Sequence, residues 1–189
     1  PNEAKATAIS SNDDDDPFDP DASDVTTAIE DLQDKDYSTR IREALIELNE
    51  KSSEYLTPSA LKIYSPKYGV VLANILDVSN KGNHLIYSDF KTLEGIGIMK
   101  LVLKQNGFVE FKISKKSNIW NIDMDDDDIG KPAFVSYTGS EDDDEKEIYK
   151  NIYNNVWDEG KIPVEIKTKL QEKAANNIYG DIIKIFMIT

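Results

Sequence analysis

The chain has 189 residues, of which 39% are hydrophobic, and a formal net charge of -14. That length supports one α/β domain with a real core and not two large ones. Without cysteine, disulfides, thiolate metal sites and cysteine catalysis are excluded, which is compatible with a reducing intracellular setting, and no apolar run approaches the roughly 20 residues that span a bilayer.

The charge is unevenly placed. Residues 1–36 carry 12 acids against 2 lysines, including Asp13 to Asp16 ahead of Pro17-Phe18-Asp19-Pro20. They have too few large apolar groups to offset the entropy of ordering, so an acidic, disordered linker is expected. A calcium loop fits poorly, because the turn glycine and distal glutamate of an EF-hand are missing. The body is expected over 37–189. A helix is predicted from Ser38 or Thr39, with Ile41, Ala44, Leu45 and Leu48 at helical spacing. Thr57-Pro58 and Ser65-Pro66 are helix-start signals, each a capping side chain before proline. Tyr68, Val71, Leu72, Ile75 and Leu76 then form one stripe, closed by the turn Asn80-Lys81-Gly82-Asn83.

His84 to Ser88 reads as a short buried strand, followed by a helix stripe of Leu93, Ile96, Met99, Val102 and Leu103 that ends at Asn106-Gly107. Phe108 to Ile113 alternates apolar and polar residues, as a half-buried strand does. Residues 115–131 are polar and acidic and read as a surface insertion. Pro132 to Tyr137 is a strand, Glu141 to Asn154 a helix with acids in its first turn, where the helix dipole favours them. Ile166, Leu170 and Ala174 suggest a further helix, and Ile182 to Ile188 a final, strongly apolar strand. Strands separated by helices imply crossovers and a mostly parallel sheet covered on both faces. Ligands of such sheets bind beyond the carboxyl ends of the strands, so an end at Thr189 falls where a functional loop would begin. With a first residue that is not methionine, this predicts a piece of a longer chain.

Three segments together resemble one family. Leu85-Ile86-Tyr87-Ser88-Asp89-Phe90 resembles the strand and turn of helicase motif IV in Swi/Snf-like enzymes, with Asp89 where glutamine is usual. Tyr137-Thr138-Gly139-Ser140, with Glu145 to Ile148 and Ile152-Tyr153-Asn154, is similar to the Asp-Gly-Ser-Thr turn and following helix of the same domain. Ile183 to Thr189 resembles the strand leading into motif V. From about Leu56 to Thr189 the chain thus resembles the second RecA-like domain of superfamily 2 helicases. The stretch through Thr92 to Gly97 looks particularly like the helicase-like proteins of large nucleocytoplasmic DNA viruses. The resemblance implies an incomplete RecA-like sheet with helices on both faces. The parent would be an ATP-dependent helicase or translocase serving viral transcription or DNA remodelling, inside the cell, in the virion or viral factory.

In that family this part of the fold contacts the nucleic-acid backbone, which makes Ser88, Thr92, Thr138, Gly139 and Ser140 the candidate contacts with DNA or RNA. Hydroxyls and backbone N–H groups can bond phosphate without reading bases. The local alternatives stay open: Thr92 and Ser140 could simply cap the helices that follow, and the acids from Glu141 to Glu145 would repel phosphate. No catalytic residue, cofactor site or metal site is expected in this chain. Its partner would be the first RecA-like lobe of the parent, to which ATP and Mg²⁺ belong, and no membrane is implied.

Other residues read plainly. Gly95-Ile96-Gly97 lacks the flanks of a phosphate loop and more simply permits close helix–sheet packing. His84, the only histidine, flanks a strand; Trp120 and Trp157 could stack on bases, with Trp157 following a helix stripe as core residues do; Asp123 to Asp128 has metal-like density without defined spacing and reads as a solvated loop. A competing reading is a non-catalytic interaction module whose acidic stretches bind basic partners. A small-molecule enzyme has little support, because no acid–base pair with a recognisable setting is present.

Overall fold

In the computed structural model the described residues are 22–93, 95–139, 142–158 and 160–189, with side chains from Asp36 onward. Four strands form the main sheet: β1 (His84–Tyr87), β2 (Val109–Glu110), β5 (Ala133–Tyr137) and β6 (Ile185–Ile188). Their order is β1-β6-β5-β2, and every neighbouring pair is parallel. The mixed α/β class and the mainly parallel pairing expected of these strands are therefore both present.

Side-chain alternation along the central strands explains the layers. Phe134 of β5 and Ile185 and Met187 of β6 pack with Leu72 and Ile75 of α4 (Pro66–Leu76) and with Ile96, Met99, Val102 and Leu103 of α5 (Ile96–Gln105). On the opposite face, Ala133, Val135 and Phe186 pack with Ile148 and Ile152 of α6 (Asp143–Tyr153) and Ile166 and Leu170 of α7 (Val164–Gln171). A strand covered on both faces must be apolar at every position, which is why Ile185-Phe186-Met187 reads as an unbroken run. Truncating one of the fully buried members to alanine costs ~2–5 kcal/mol.

The helix starts follow their capping chemistry. After the short α2 (Ser52–Tyr55), Thr57 accepts from the Ala60 amide at 3.3 Å ahead of α3 (Pro58–Tyr64). Ser65 is the N-cap of α4 without a side-chain bond, and Leu76, expected in the α4 stripe, is exposed. Asp142 caps α6 by accepting from the Asp144 amide at 2.8 Å, with Asp143, Asp144 and Glu145 in the first turn.

Three expectations are corrected. The first helix, α1 (Ala22–Glu50), begins well before Ser38, because Ala28, Ile29, Leu32, Gln33 and Lys35 are all compatible with a helix even where few large apolar groups are present. Residues 1–21, and with them the acidic run Asp13 to Asp16, lie outside the described residues. The residues up to Arg40 form a unit separate from Ile41–Thr189, and within it Arg40 pairs with Asp36 at 2.7 Å.

The second correction concerns Phe108 to Ile113, which is not one strand. After β2 the chain leaves the sheet at Phe111, whose amide still donates to the Phe134 carbonyl at 2.9 Å. It then enters an antiparallel hairpin of β3 (Ile113–Lys116) and β4 (Ile119–Ile122). The third follows from it: the insertion over 115–131 is not solvated throughout. Its first part is that hairpin, with Ile113 and Ile122 paired and buried in the same cluster as Ile166 of α7. The turn residues Ser117 and Asn118 both have positive φ, 50° and 65°, the twist that a two-residue hairpin connection demands. Among the described residues no helix is long and apolar enough to cross a membrane.

Candidate functional site

Strand order decides what meets at the carboxyl edge of the sheet. Tyr87, Ile188 and Tyr137 are register partners across β1, β6 and β5. The next residues, Ser88, Thr189 and Thr138, therefore leave the sheet side by side. The Ser88 amide donates to the Ile188 carbonyl at 3.1 Å, and the Thr189 amide to the Tyr137 carbonyl at 3.2 Å. Residues some 50 and 100 positions apart in the chain are thus brought to one edge.

The loop after β1 is held tightly. The Ser88 hydroxyl accepts from the Phe90 amide at 3.2 Å, and the Phe90 carbonyl accepts from the Ile96 amide at 3.0 Å. The Thr92 carbonyl accepts from Gly95 at 3.2 Å and from Gly97 at 3.0 Å. A Cβ at Gly95 would lie 2.0 Å from the Phe90 carbonyl oxygen and 2.5 Å from the Ser88 hydroxyl, and one at Gly97 would lie 2.7 Å from the Thr92 carbonyl oxygen. The two glycines thus let this loop fold back onto the start of α5. The close packing expected of them is loop against helix, not helix against sheet.

Of the candidate contacts, Ser88, Thr138 and Gly139 lie at this edge, the first two half-buried and Gly139 exposed at φ +83°. Thr92 is exposed on the β1–α5 loop. It does not cap α5: the N-cap is Gly95, with no side-chain bond. Ser140 lies outside the described residues, and the cap it was considered for is made by Asp142. Two lysines not singled out from the sequence belong to the same edge. Lys91 reaches across from the β1–α5 loop, its Nζ 3.8 Å from where a Cβ of Gly139 would be. Lys146 of α6 donates to the Tyr137 hydroxyl at 2.9 Å and lies 4.2 Å from the centre of its ring. The available sequence signal was only that Lys91 directly follows Phe90 and that Lys146 sits on the first turns of α6.

Elsewhere, several charged and polar groups serve the fold. Glu110 on the edge strand β2 takes Lys100 at 2.8 Å, Lys104 at 2.9 Å and Lys112 at 3.7 Å. Burial pushes its carboxyl up, but the hydrogen bonds and charges of Lys100 and Lys104 outweigh that and hold it at about 2. Asn177 is fully buried. Its Oδ1 accepts from the Ile182 and Ile183 amides at 2.8 and 2.9 Å, and its Nδ2 donates to the Ile183 and Tyr153 carbonyls at 3.0 and 3.2 Å. This ties the end of α6 to the start of β6. His84 opens β1 opposite Ile185, and burial, with Lys184 nearby, lowers its pKa and favours the neutral ring. Trp157 packs against the core and donates to Asn155 at 2.7 Å, while Trp120 sits under Lys115 in the hairpin. Among the described residues no three His, Cys, Asp or Glu side chains come together as metal ligands would.

Comparison with known proteins finds no family model, no curated protein and no solved structure that matches this chain.

Proposed function

We propose that this chain is part of the second RecA-like lobe of an ATP-dependent, superfamily 2 helicase or translocase of the Swi/Snf-like, large-DNA-virus kind. In this reading it supplies part of the surface that tracks along a nucleic-acid backbone, and no catalytic residue. The observation that carries the reading is the β1-β6-β5 order with Tyr87, Ile188 and Tyr137 in register. The segment that resembles motif IV, the strand before motif V and the strand that leads to Thr138 and Gly139 are neighbours whose carboxyl ends lie side by side in a parallel sheet, which supports a continuous tracking surface.

The chemistry available at that edge suits phosphate better than base recognition. Ser88, Thr138, the Gly139 backbone, Lys91 and Lys146 carry donor groups, although Ser88 also donates to the Phe90 carbonyl at 3.3 Å and Lys146 to the Tyr137 hydroxyl, and such groups position a backbone without reading sequence. The net charge of -14 opposes the contact, so binding by this chain alone is weak and falls steeply with salt. ATP and Mg²⁺ are assigned to a first lobe, since the sequence holds no Gly-x-x-x-x-Gly-Lys-Ser/Thr loop to cradle phosphates.

The test uses the 189-residue chain. Phosphate release is measured with and without DNA, beside a fluorescence titration with nucleic acid at rising salt. No turnover and weak, salt-sensitive binding are expected. ATP turnover comparable with an intact motor, salt-resistant submicromolar binding, or no binding even at low salt would each overturn the reading.

A further inference from the structure

The aromatic side chains beside this edge are more exposed than a packed fold needs them to be. Tyr87 is 65% exposed and Phe90 56%, and they flank Ser88 on either side. Neither hangs on a loose loop. Phe90 is fixed through both backbone groups, its amide to the Ser88 hydroxyl and its carbonyl to the Ile96 amide, with Gly95 pressed against it where no Cβ would fit. The Tyr87 hydroxyl donates to the Asp89 carboxylate, which orients the ring. Two rings on a held backbone thus face solvent at the carboxyl end of β1. Lys91 follows directly in sequence. On the sheet face that carries the Tyr87 side chain, Ile188 and Tyr137 continue the row, and Lys146 lies over the Tyr137 ring. Tyr87 and Tyr137 are two strand spacings apart, about 10 Å.

We propose that Tyr87 and Phe90 are stacking platforms for the unpaired bases of a single-stranded nucleic acid, with Lys91 and Lys146 neutralising the adjoining phosphates. This rests on the tracking-surface reading and narrows its ligand from any nucleic acid to one with open bases. Aromatic faces interleaved with cations are what a sequence-tolerant single-strand groove needs, because every base offers a π-face and every nucleotide a phosphate. A duplex hides its bases and would gain only the phosphate contacts. The acids in the neighbourhood are partly engaged: Asp89 by Tyr87, Asp142 as the cap of α6, and Asp144 with Lys115 at 3.6 Å.

The experiment titrates the 189-residue chain at low salt with three probes of equal length: a thymidine oligonucleotide, an abasic oligonucleotide and a duplex. The thymidine strand is expected to bind about tenfold more tightly than the abasic strand, within the range set by one stacked base. Phe90→Ala and Tyr87→Ala each shrink that preference, and Lys91→Ala weakens all three probes together. Phe90→Leu keeps an apolar side chain on the loop and also loses the preference, with an unchanged melting curve showing that the fold persists. Equal binding of thymidine and abasic strands, or a duplex preference that Phe90→Ala leaves untouched, overturns the stacking proposal and leaves the phosphate surface standing. No salt-sensitive binding of any probe removes both.

Discussion

At one edge of the sheet, β2 pairs with its neighbour for two residues only, and the second of them is Glu110, its side chain 14% exposed and clamped by Lys100, Lys104 and Lys112. At the other edge, β1 pairs along all four of its residues and turns Leu85 and Tyr87 outward, 63% and 65% exposed. A short strand with a charge turned inward is a poor template for another strand, whereas a longer strand with apolar side chains on an open face is a good one. The α6 and α7 layer covers β5 and β6 and stops short of β1. One edge of the same sheet is therefore closed by its own side chains, and the other keeps a surface suited to contact. The candidate site starts on the second side, at the end of β1, and runs across the carboxyl ends of β6 and β5.

If the sheet is held at its centre and only guarded at its edges, the largest loss should come from Asn177, which serves the middle strand. Asn177→Leu leaves the Ile182 and Ile183 amides without their acceptor and should cost ~3 kcal/mol in urea unfolding. A cost near zero would mean that the strand entering between β1 and β5 does not depend on this tie. Next comes Gly95→Ala, whose Cβ meets the Phe90 carbonyl oxygen at 2.0 Å. It should lower stability by ~2 kcal/mol and release the β1 loop, seen as faster amide exchange at Phe90 and Ile96.

The guarded edge gives a smaller, pH-dependent effect. Glu110 sits at about 2 in the folded chain against an ordinary 4.5. Its contribution is therefore complete above the ordinary value and disappears as pH falls toward 2. Glu110→Gln should cost about 1–2 kcal/mol at neutral pH, and the gap to the unaltered chain should close across that acid window. A gap independent of pH would show that the lysines are not what holds the carboxyl. Smallest of all is Leu85→Lys on the open edge, which should change stability by no more than ~0.5 kcal/mol while reducing light scattering in concentrated solution. A loss of several kcal/mol would mean that β1 is covered after all, and the contrast between the edges would fail.

How far these features could be read from the sequence depended on the range over which each is decided. β5 and β6 were legible because strands covered on both faces must be continuously apolar. α3 and α4 were legible because Thr57-Pro58 and Ser65-Pro66 set their first turns locally. The alternation Val109, Phe111, Ile113 is as good a pattern for one strand as for two. The divergence after Phe111 is decided by Ile113 and Ile122 finding α7, and Ser117-Asn118 lacks the glycine that usually announces such a turn. The positions of Ser88, Thr138 and Gly139 at strand ends could be anticipated. That β6 brings those ends together could not, since strand order is not written in any local pattern. Asn177 stands beside Asn176 in a polar loop, and nothing nearby marks it as buried, because its partners lie at Tyr153, Asn155 and the head of β6.

The register of the sheet also fixes how far apart its partners are along the chain. β2 meets β5 across 24 residues (Val109 to Ala133), β5 meets β6 across 51 (Phe134 to Ile185), and β1 meets β6 across 101 (His84 to Ile185). Closing a longer loop costs more entropy, and long-range pairings slow folding. These separations predict that the sheet grows from the β2–β5 side and that β1 docks last. The main-sheet strand with the most exposed apolar surface in the finished fold would then be the one that waits longest for its partner. On that order Leu85 and Tyr87 stay open to another chain until β1 docks, and the yield of native protein is expected to fall as the concentration during refolding rises.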